Sequence, residues 1–444
     1  MEAAHHLALR REPGEAPATQ PGIAPFRPQE AATTTHRIGI FNVKYSPNLG
    51  DGIIAECLEG ELRRADPRVE PVSIDLAGRT AFDPAHGNNR AAMLAVIERL
   101  PAPLRARIVP ALLLALVRLR MAPRWREQLK HCDSVIVGGG ALFQDVDQNF
   151  PVKISEALKL ANARGLPVAV ASVGVSGQWS RAGRRRLAAR LLAARIVSLS
   201  VRDTQSASAW RAVMGTLGIG AVAHAPDPGL LTARQYGPAP RPDATGPRVG
   251  ICVTAPIALR LHHDDGHDDR QLETWMVAVA RELAALGNEV MLFTNGSPED
   301  RLFRDRLKIA LADDAAIRFA PDFARPGELA HTLAGFDCVL AHRLHACIVA
   351  YSYKVPTVGF AWDGKLRSFF EQTGRGYFVI DPREASPLHV ADLAMAAMAQ
   401  GIDGQTHAHL QETAKGAIHA LAQRLLSGRD LAATEQKING ARAG

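Results

Sequence analysis

Asp337-Cys338-Val339-Leu340-Ala341-His342-Arg343-Leu344-His345-Ala346-Cys347-Ile348-Val349-Ala350 runs from four apolar residues into an apolar helical pattern, with two imidazoles and a guanidinium at the joint. A short uninterrupted apolar run fits a strand buried on both faces, as strands of a parallel sheet are. The pattern predicts a strand ending near Ala341 and a helix starting beside it. His342, Arg343 and His345 then lie at the carboxyl end of a strand and the amino end of a helix. Open α/β sheets collect ligands there, and the free N–H groups of the helix start suit anions. An Arg in that place can clamp a carboxylate or phosphate through two parallel hydrogen bonds, and a neighbouring His exchanges protons near neutral pH. The joint reads as a site for an acidic substrate.

The same rhythm extends outward in both directions. Toward the amino end, strands are expected at Arg37–Val43, Val69–Asp75, Ser134–Val137, Val168–Val173, Ile196–Val201 and Ala221–His224. Helices are expected at Gly52–Arg64, through Met93–Lys130, and at Lys153–Arg164, Arg181–Ala194 and Thr204–Met214. Gly237–Pro247, loaded with Pro and Gly and free of large apolar residues, marks a linker. Alternation then restarts, with strands at Arg248–Val253, Glu289–Phe293, Ala316–Phe319, Cys338–Ala341, Thr357–Phe360 and Tyr377–Ile380. Strands alternating with helices imply parallel sheets and right-handed crossovers. The expected fold is α/β, two Rossmann-like lobes with parallel sheets and a cleft between them. Residues 36–236 form the N-terminal α/β lobe, 237–247 the linker and 248–385 the C-terminal α/β lobe. Residues 386–444 hold C-terminal helices and a tail, with helices from Val390 onward expected to pack back across the first lobe. Residues 1–35, rich in Ala, Pro, Glu and Thr, are expected to be a disordered tail.

Charge is distributed unevenly. Residues 1–240 hold 30 Lys/Arg against 20 Asp/Glu, whereas the remainder holds 22 against 25. The basic first half favours an anionic partner, either a phosphorylated substrate or a membrane surface. No aromatics interleave with the basic runs as they do in single-strand binders, so no nucleic-acid partner is expected. Cys57, Cys132, Cys252, Cys338 and Cys347 sit singly in apolar patterns, which suits buried reduced thiols of a cytoplasmic protein. Met1–Glu30 lacks the apolar core of a signal peptide.

Several further stretches admit two readings. Asn48-Leu49-Gly50-Asp51 lies between a strand and a helix, so it is either an anion-holding βα turn or an ordinary turn with Asp51 as the helix cap. Gly138-Gly139-Gly140 follows a strand and lets a ligand approach the backbone closely, or is a structural turn; it is not the dinucleotide fingerprint. Arg202 sits at the carboxyl edge of a strand, suited either to a ligand or to a surface pair with Asp203, and Asp227-Pro228 reads mainly as a turn. The run from His262 to Asp269 has no spacing that would converge its side chains on a metal and reads as a solvated loop. Ile108–Val117 is apolar and flanked by Arg105, Arg107, Arg118, Arg120, Arg124 and Arg126. It is too short to span a bilayer, and it reads either as a helix resting on anionic lipid or as a buried helix with solvated basic ends. The six-Arg run Arg181–Arg195 invites the same pair of readings.

Taken in order, Asn48, Gly50 and Asp51, then Gly138-Gly139-Gly140, then Ser200-Val201-Arg202-Asp203 with Ser206, then Asp227, then Arg343-Leu344-His345-Ala346 with Pro356 and Lys365, resemble the polysaccharide pyruvyltransferase family. The resemblance runs from about residue 38 to 380. It implies a two-lobed fold like that of the GT-B glycosyltransferases. It also implies transfer of the enolpyruvyl carbon of phosphoenolpyruvate onto two hydroxyls of a sugar in a bacterial surface polysaccharide or exopolysaccharide, giving a pyruvate ketal and phosphate. The family's Arg-Leu-His element and strand-end Arg match Arg343, Leu344, His345 and Arg202. His342 departs from the small residue that relatives often carry there, which leaves open which imidazole handles the proton.

The residue chemistry agrees with that reaction. Two Arg can hold the carboxylate and phosphate of phosphoenolpyruvate, and ketal formation needs a proton donor to the methylene carbon and a base toward the hydroxyl. The expected catalytic residues are His345, Arg343 and Arg202. Asn48, Gly50, Asp51, Gly138, Gly139, Gly140, His342, Leu344 and Lys365 are expected to line the substrates. No metal or cofactor is demanded, because guanidinium groups can screen the leaving phosphate. The partners are then phosphoenolpyruvate and a sugar acceptor. The basic Leu-rich helix raises the expectation of a lipid-linked acceptor and of peripheral contact at the inner face of the membrane. Two other functions fit the same lobes: a GT-B nucleotide-sugar glycosyltransferase, which would need a carboxylate for the ribose beside Arg343, and a non-catalytic protein that binds acidic sugars.

Overall fold

Twelve short strands, each followed by a turn and most by a helix, build two six-stranded sheets in which every neighbouring pair is parallel. The structure is a computed structural model and describes residues 35–82, 102–220, 222–240, 246–257, 269–361 and 364–428. The expected tail, the His262–Asp268 part of the imidazole and carboxylate run, residues 93–101 of the expected helical stretch and the middle of the linker lie outside the described residues.

The first sheet holds β1 (His36–Asn42), β2 (Val69–Asp75), β3 (Ser134–Phe143), β4 (Val168–Val175), β5 (Ile196–Val201) and β6 (Ala223–His224) in the order β2-β1-β3-β4-β5-β6. The second holds β7 (Arg248–Cys252), β8 (Glu289–Phe293), β9 (Ile317–Phe319), β10 (Cys338–Ala341), β11 (Thr357–Phe360) and β12 (Val379–Ile380) in the order β12-β11-β10-β7-β8-β9. In each sheet the first strand has later strands on both sides. Crevices therefore open at the carboxyl ends of β1 and β3 in one lobe and of β7 and β10 in the other.

Three boundaries differ from the sequence reading in ways that matter for the site. Helix α1 begins at Leu49, and Asn48 rather than Asp51 caps it: Asn48 Oδ1 accepts the N–H of Gly50 at 3.2 Å. That places Asp51 inside the first helical turn. The triple glycine is not a turn but the interior of β3, which continues to Phe143. Only glycine tolerates the path there, since φ is +80° at Gly139 and +108° at Gly140, and the register with β4 shifts just beyond. The strand expected over Tyr377–Ile380 keeps only its last two residues, because Gly376–Phe378 coils into a 3-10 turn beneath the Arg375 guanidinium, 4.3 Å from the Phe378 ring.

Between β2 and β3 runs α2 (Ala102–Leu116), which contains Pro110, continues through a π-helical segment (Val117–Met121) and ends in α3 (Ala122–Leu129). Helix α4 (Asn149–Asn162) follows β3, α5 (Arg181–Ala193) follows β4 and α6 (Thr204–Val213) follows β5. A 3-10 turn at Pro228–Leu231, capped by Asp227, leads into α7 (Thr232–Tyr236). The second lobe adds α8 (Asp269–Ala285), α9 (Pro298–Ala310), α10 (Pro326–Ala334), α11 (Leu344–Ser352) and α12 (Gly364–Gln372), before α13 (Pro387–Gln400) and α14 (Gly404–Ser427).

Helix α14 packs against the first lobe as well as the second. His419 Nε2 meets Glu61 Oε1 at 2.8 Å, Gln411 donates to the Leu230 carbonyl, and Leu410, Ala414, Ile418, Leu421 and Leu425 keep a helical period on its buried face. The same apolar cluster takes in Leu49 and Ile53 of α1, Leu230 and Leu231, and Ile348 and Val349 of α11, so the lobes share one continuous core along this side. A second cluster fills the opposite face of the first sheet. All five cysteines are buried free thiols, as a packed α/β interior requires of lone sulfhydryls.

Candidate active site

The two helices that leave the switch-point strands, α1 and α11, point their amino ends at each other. Asp51 is in the first turn of α1 and His345 in the first turn of α11, and Asp51 Oδ1 lies 3.6 Å from His345 Nδ1. Gly50 makes this approach possible, because a Cβ there would fall 2.7 Å from the Cβ of His345. Other glycines relieve the same seam: a Cβ on Gly296 would strike the Pro47 carbonyl oxygen at 2.5 Å, and one on Gly364 would strike the Gln205 side chain. Across the seam Leu49 donates its N–H to the Asn295 carbonyl at 2.7 Å, and the hydroxyls of Thr204 and Ser368 meet at 3.3 Å. The amino ends of α6 and α12 thus abut close to those of α1 and α11. Each brings the positive end of a helix dipole, which favours an anion.

Glycine keeps the floor on the first-lobe side bare. A Cβ on Gly138 would lie 2.4 Å from the Ala171 carbonyl oxygen, and the nearest atom to one on Gly140 would be Asp51 Oδ1 at 4.0 Å. Bare backbone at Gly140 therefore faces the Asp51 carboxylate.

His345 is 12% exposed, and burial pushes its pKa down to about 4. The positive charges of Arg202, Arg343 and Lys365 push it the same way, and the Asp51 carboxylate opposes them. All four charges converge on this imidazole, which is neutral at pH 7. Burial raises the pKa of Asp51, while His345, a hydrogen bond from Ser46 and the charges of Arg79 and Arg343 pull it back. A neutral ring against a carboxylate is a proton acceptor whose tautomer the carboxylate can hold.

The two arginines differ in setting. Arg343 is the residue before α11, and its Nε and one terminal nitrogen both donate to Asp300 Oδ2, at 3.1 and 2.6 Å. Asp300 is fully buried in the first turn of α9 and takes the Ala255 N–H on its other oxygen, so it anchors the guanidinium by one edge. Arg343 remains 17% exposed. Arg202 is 3% exposed: its Nε donates to Asp203 at 3.1 Å and a terminal nitrogen to Asp227 at 3.2 Å. Gly174 makes room for it, since a Cβ there would be 2.9 Å from the guanidinium carbon. The pair with Asp203 is therefore interior, not the surface pair that one sequence reading offered, and Arg202 bears on His345 through its charge. Asp203 also caps α6 through the Ser206 N–H at 2.6 Å, and Asp227 takes the Gly229 N–H at 2.9 Å.

His342 stands apart from this cluster. It is 1% exposed, with its ring 4.9 Å from that of Phe360 inside the second lobe. Leu344, half-buried, packs against the apolar core at the start of α11. Lys365 begins α12 and contributes charge to His345.

Asp300 escaped the sequence reading, although Ser297-Pro298-Glu299-Asp300 follows a strand in the way Asn48–Asp51 does; an acid in the first turn of such a helix was the available signal. Near it, Thr254 Oγ1 and Asn295 Nδ2 are buried at the ends of β7 and β8 and make no hydrogen bond among the described residues.

The fold is shared with enzymes of the GT-B type. The UDP-GlcNAc 2-epimerase of Methanocaldococcus jannaschii superposes with a TM-score of 0.52 at 9% identity, over 88% of this chain and 100% of that one. A further UDP-N-acetylglucosamine 2-epimerase gives 0.52 at 12% identity, over 88% and 94%. At such identities the likeness concerns the fold alone. Among curated proteins no relative matches the chain. The family model described as Polysaccharide pyruvyl transferase matches residues 48–364, from the Asn48 cap to the first residue of α12, and so takes in Asp51, Arg202, Asp300, Arg343 and His345. The chain belongs to the polysaccharide pyruvyl transferase family.

Proposed function

We propose that the protein moves the enolpyruvyl carbon of phosphoenolpyruvate onto two hydroxyls of one sugar, forming a cyclic pyruvate ketal and releasing phosphate. The observation that carries this reading is the neutral imidazole of His345, 3.6 Å from the Asp51 carboxylate and under the combined charge of Arg202, Arg343 and Lys365. Phosphoenolpyruvate brings a carboxylate and a phosphate, and the converging helix amino ends and cations suit both.

In the balanced reaction each sugar hydroxyl gives up one proton as its oxygen bonds to C2. One proton ends on the methylene carbon, which becomes the methyl group, and the other leaves with the phosphate when the C2–O bond to phosphorus breaks. His345, uncharged at rest, accepts the proton of the attacking hydroxyl, and Asp51 stabilises the imidazolium that forms. Bound anions beside it favour that charged form, so the same ring can return the proton to the methylene carbon. Arg343 holds the donor, and Asp300 holds Arg343. Arg202, enclosed by Asp203 and Asp227, adds its charge to the field at His345. A donor of this kind places the reaction on the cytoplasmic side.

The test is phosphate release from phosphoenolpyruvate with candidate sugar diols, with the ketal methyl group followed by proton NMR. The expected result is ketal formation by the natural protein and a loss of roughly 10³-fold in His345→Ala, in the range of a lost acid–base group. Full turnover by His345→Ala removes the assignment of His345. Thermal stabilisation by a uridine diphosphate sugar together with indifference to phosphoenolpyruvate would replace the whole reading with a glycosyltransferase.

A further inference from the structure

Helix α2 and the π-helical segment after it have an outer face that the fold leaves uncovered among the described residues. Pro110 and Val117 are buried, and Leu113, Leu114 and Met121 pack against the second core cluster, so the inner side of this helix is accounted for. A surface helix with one side in the core carries polar residues on the other side. This one carries Ile108, Leu112, Leu116 and Leu119, of which Leu112 is 65% and Leu119 77% exposed. The first three recur every fourth residue, which stacks them on one face. From residue 102 to 126 there are six arginines and no acidic residue. Arg105 pairs with Asp147 and Arg118 with Glu156, whereas Arg107, Arg120, Arg124 and Arg126 are exposed and have no carboxylate partner among the described residues.

We propose that this face docks on an anionic lipid surface, with the four apolar side chains entering the headgroup boundary and the flanking arginines meeting lipid phosphates. The charge pattern selects this occupant: an apolar stripe alone suits any greasy partner, but a stripe flanked by exposed arginines, Arg107 before it and Arg120, Arg124 and Arg126 after it, matches a surface that is apolar inside and anionic outside. Arginine stems can lie along the apolar layer while their heads reach the phosphates. The segment is a surface anchor and not a span, since no helix among the described residues is long and apolar enough to cross a membrane. Through Arg105 and Asp147 the helix is tied to the loop that follows β3.

The experiment is sedimentation of the full chain with vesicles of phosphatidylcholine alone or mixed with phosphatidylglycerol, at low and high salt. It reads binding and not turnover, so its failure leaves the proposed reaction untouched. The expected result is binding to the mixed vesicles only, weakened by salt. Replacing Arg107 and Arg120 by Gln should cost about fivefold per charge in partition, as for a basic residue at an anionic surface. Leu112→Asp with Leu119→Asp should cost about tenfold or more, since it exchanges inserted apolar surface for charge. Both pairs of sites are exposed, so unchanged thermal melting is expected. Absence of binding by the natural protein, binding that ignores anionic lipid, or variants that bind as well as the natural protein would each overturn the proposal. A concentration-dependent dimer abolished by the Leu112 and Leu119 changes, without vesicle binding, would assign the face to a second copy instead.

Discussion

Arg202 and Arg343 occupy equivalent places in their lobes, each just beyond the carboxyl end of a parallel strand and just before a helix, yet their surroundings differ. Arg202 is enclosed by two carboxylates, Asp203 and Asp227, in a slot that Gly174 leaves open to it. Arg343 has one carboxylate, Asp300, which grips one edge and leaves the residue partly exposed beside His345. A strand-end position puts a cation near a crevice; how many buried carboxylates neutralise it, and how much solvent reaches it, decide whether it can take a ligand by direct contact. The first arginine is built as a fixed source of field, and the second as a hand with a steadied wrist.

The comparison breaks most decisively through Arg202→Met. Removing one partner of a buried ion pair leaves uncompensated charge, so this variant should lose about 3–5 kcal/mol of stability in denaturant unfolding. A loss well below that would mean that the carboxylates do not depend on Arg202. Next comes Arg343→Lys, which keeps the charge but not the planar fork. Losing charge-assisted hydrogen bonds predicts roughly a hundredfold drop in kcat/KM, carried mainly by KM for the donor, with the fold intact. If kcat falls and KM does not, Arg343 acts on the transition state and not as a donor clamp.

The smallest effect sharpens the electrostatics. His345 titrates at about 4 because burial and three cations oppose its protonation, and only Asp51 favours it. Asp51→Asn should therefore move the ring titration lower still, read by NMR of labelled histidine, whereas Arg343→Gln should move it up. For the natural protein the sign is that of a depressed base: the ring stays neutral as pH falls through the ordinary histidine range, and protonates only near 4. An upward shift in Asp51→Asn would show that the carboxylate does not act on His345.

Much of this was legible from residue order. The boundaries of Cys338–Ala341, Thr357–Phe360, Glu289–Phe293, Ile196–Val201 and Val69–Asp75 coincide with the strands observed, because apolar runs bounded by turn residues are local signals. The place of His345 and Arg343 at a strand-to-helix joint followed from the same local reading. Failures came where geometry overrode local habit. Gly138-Gly139-Gly140 looks like a turn, but β3 threads through it using positive φ values, with β4 too close for a side chain at Gly138. Asp51 looks like a cap, but Asn48 starts the helix a turn earlier and frees the carboxylate for His345.

The sequence by itself determined the alternation of strands and helices and the place of an imidazole and a guanidinium after β10, since hydrophobic period and turn chemistry act over a few residues. Only the tertiary structure decided that Asp51 faces His345, that Asp300 steadies Arg343, that Arg202 is enclosed and that α14 packs against both lobes. These pairings join residues distant in the chain. They exist because glycines at 50, 296 and 364 let two lobes close until helix ends and buried charges meet, and burial then sets which groups carry a proton.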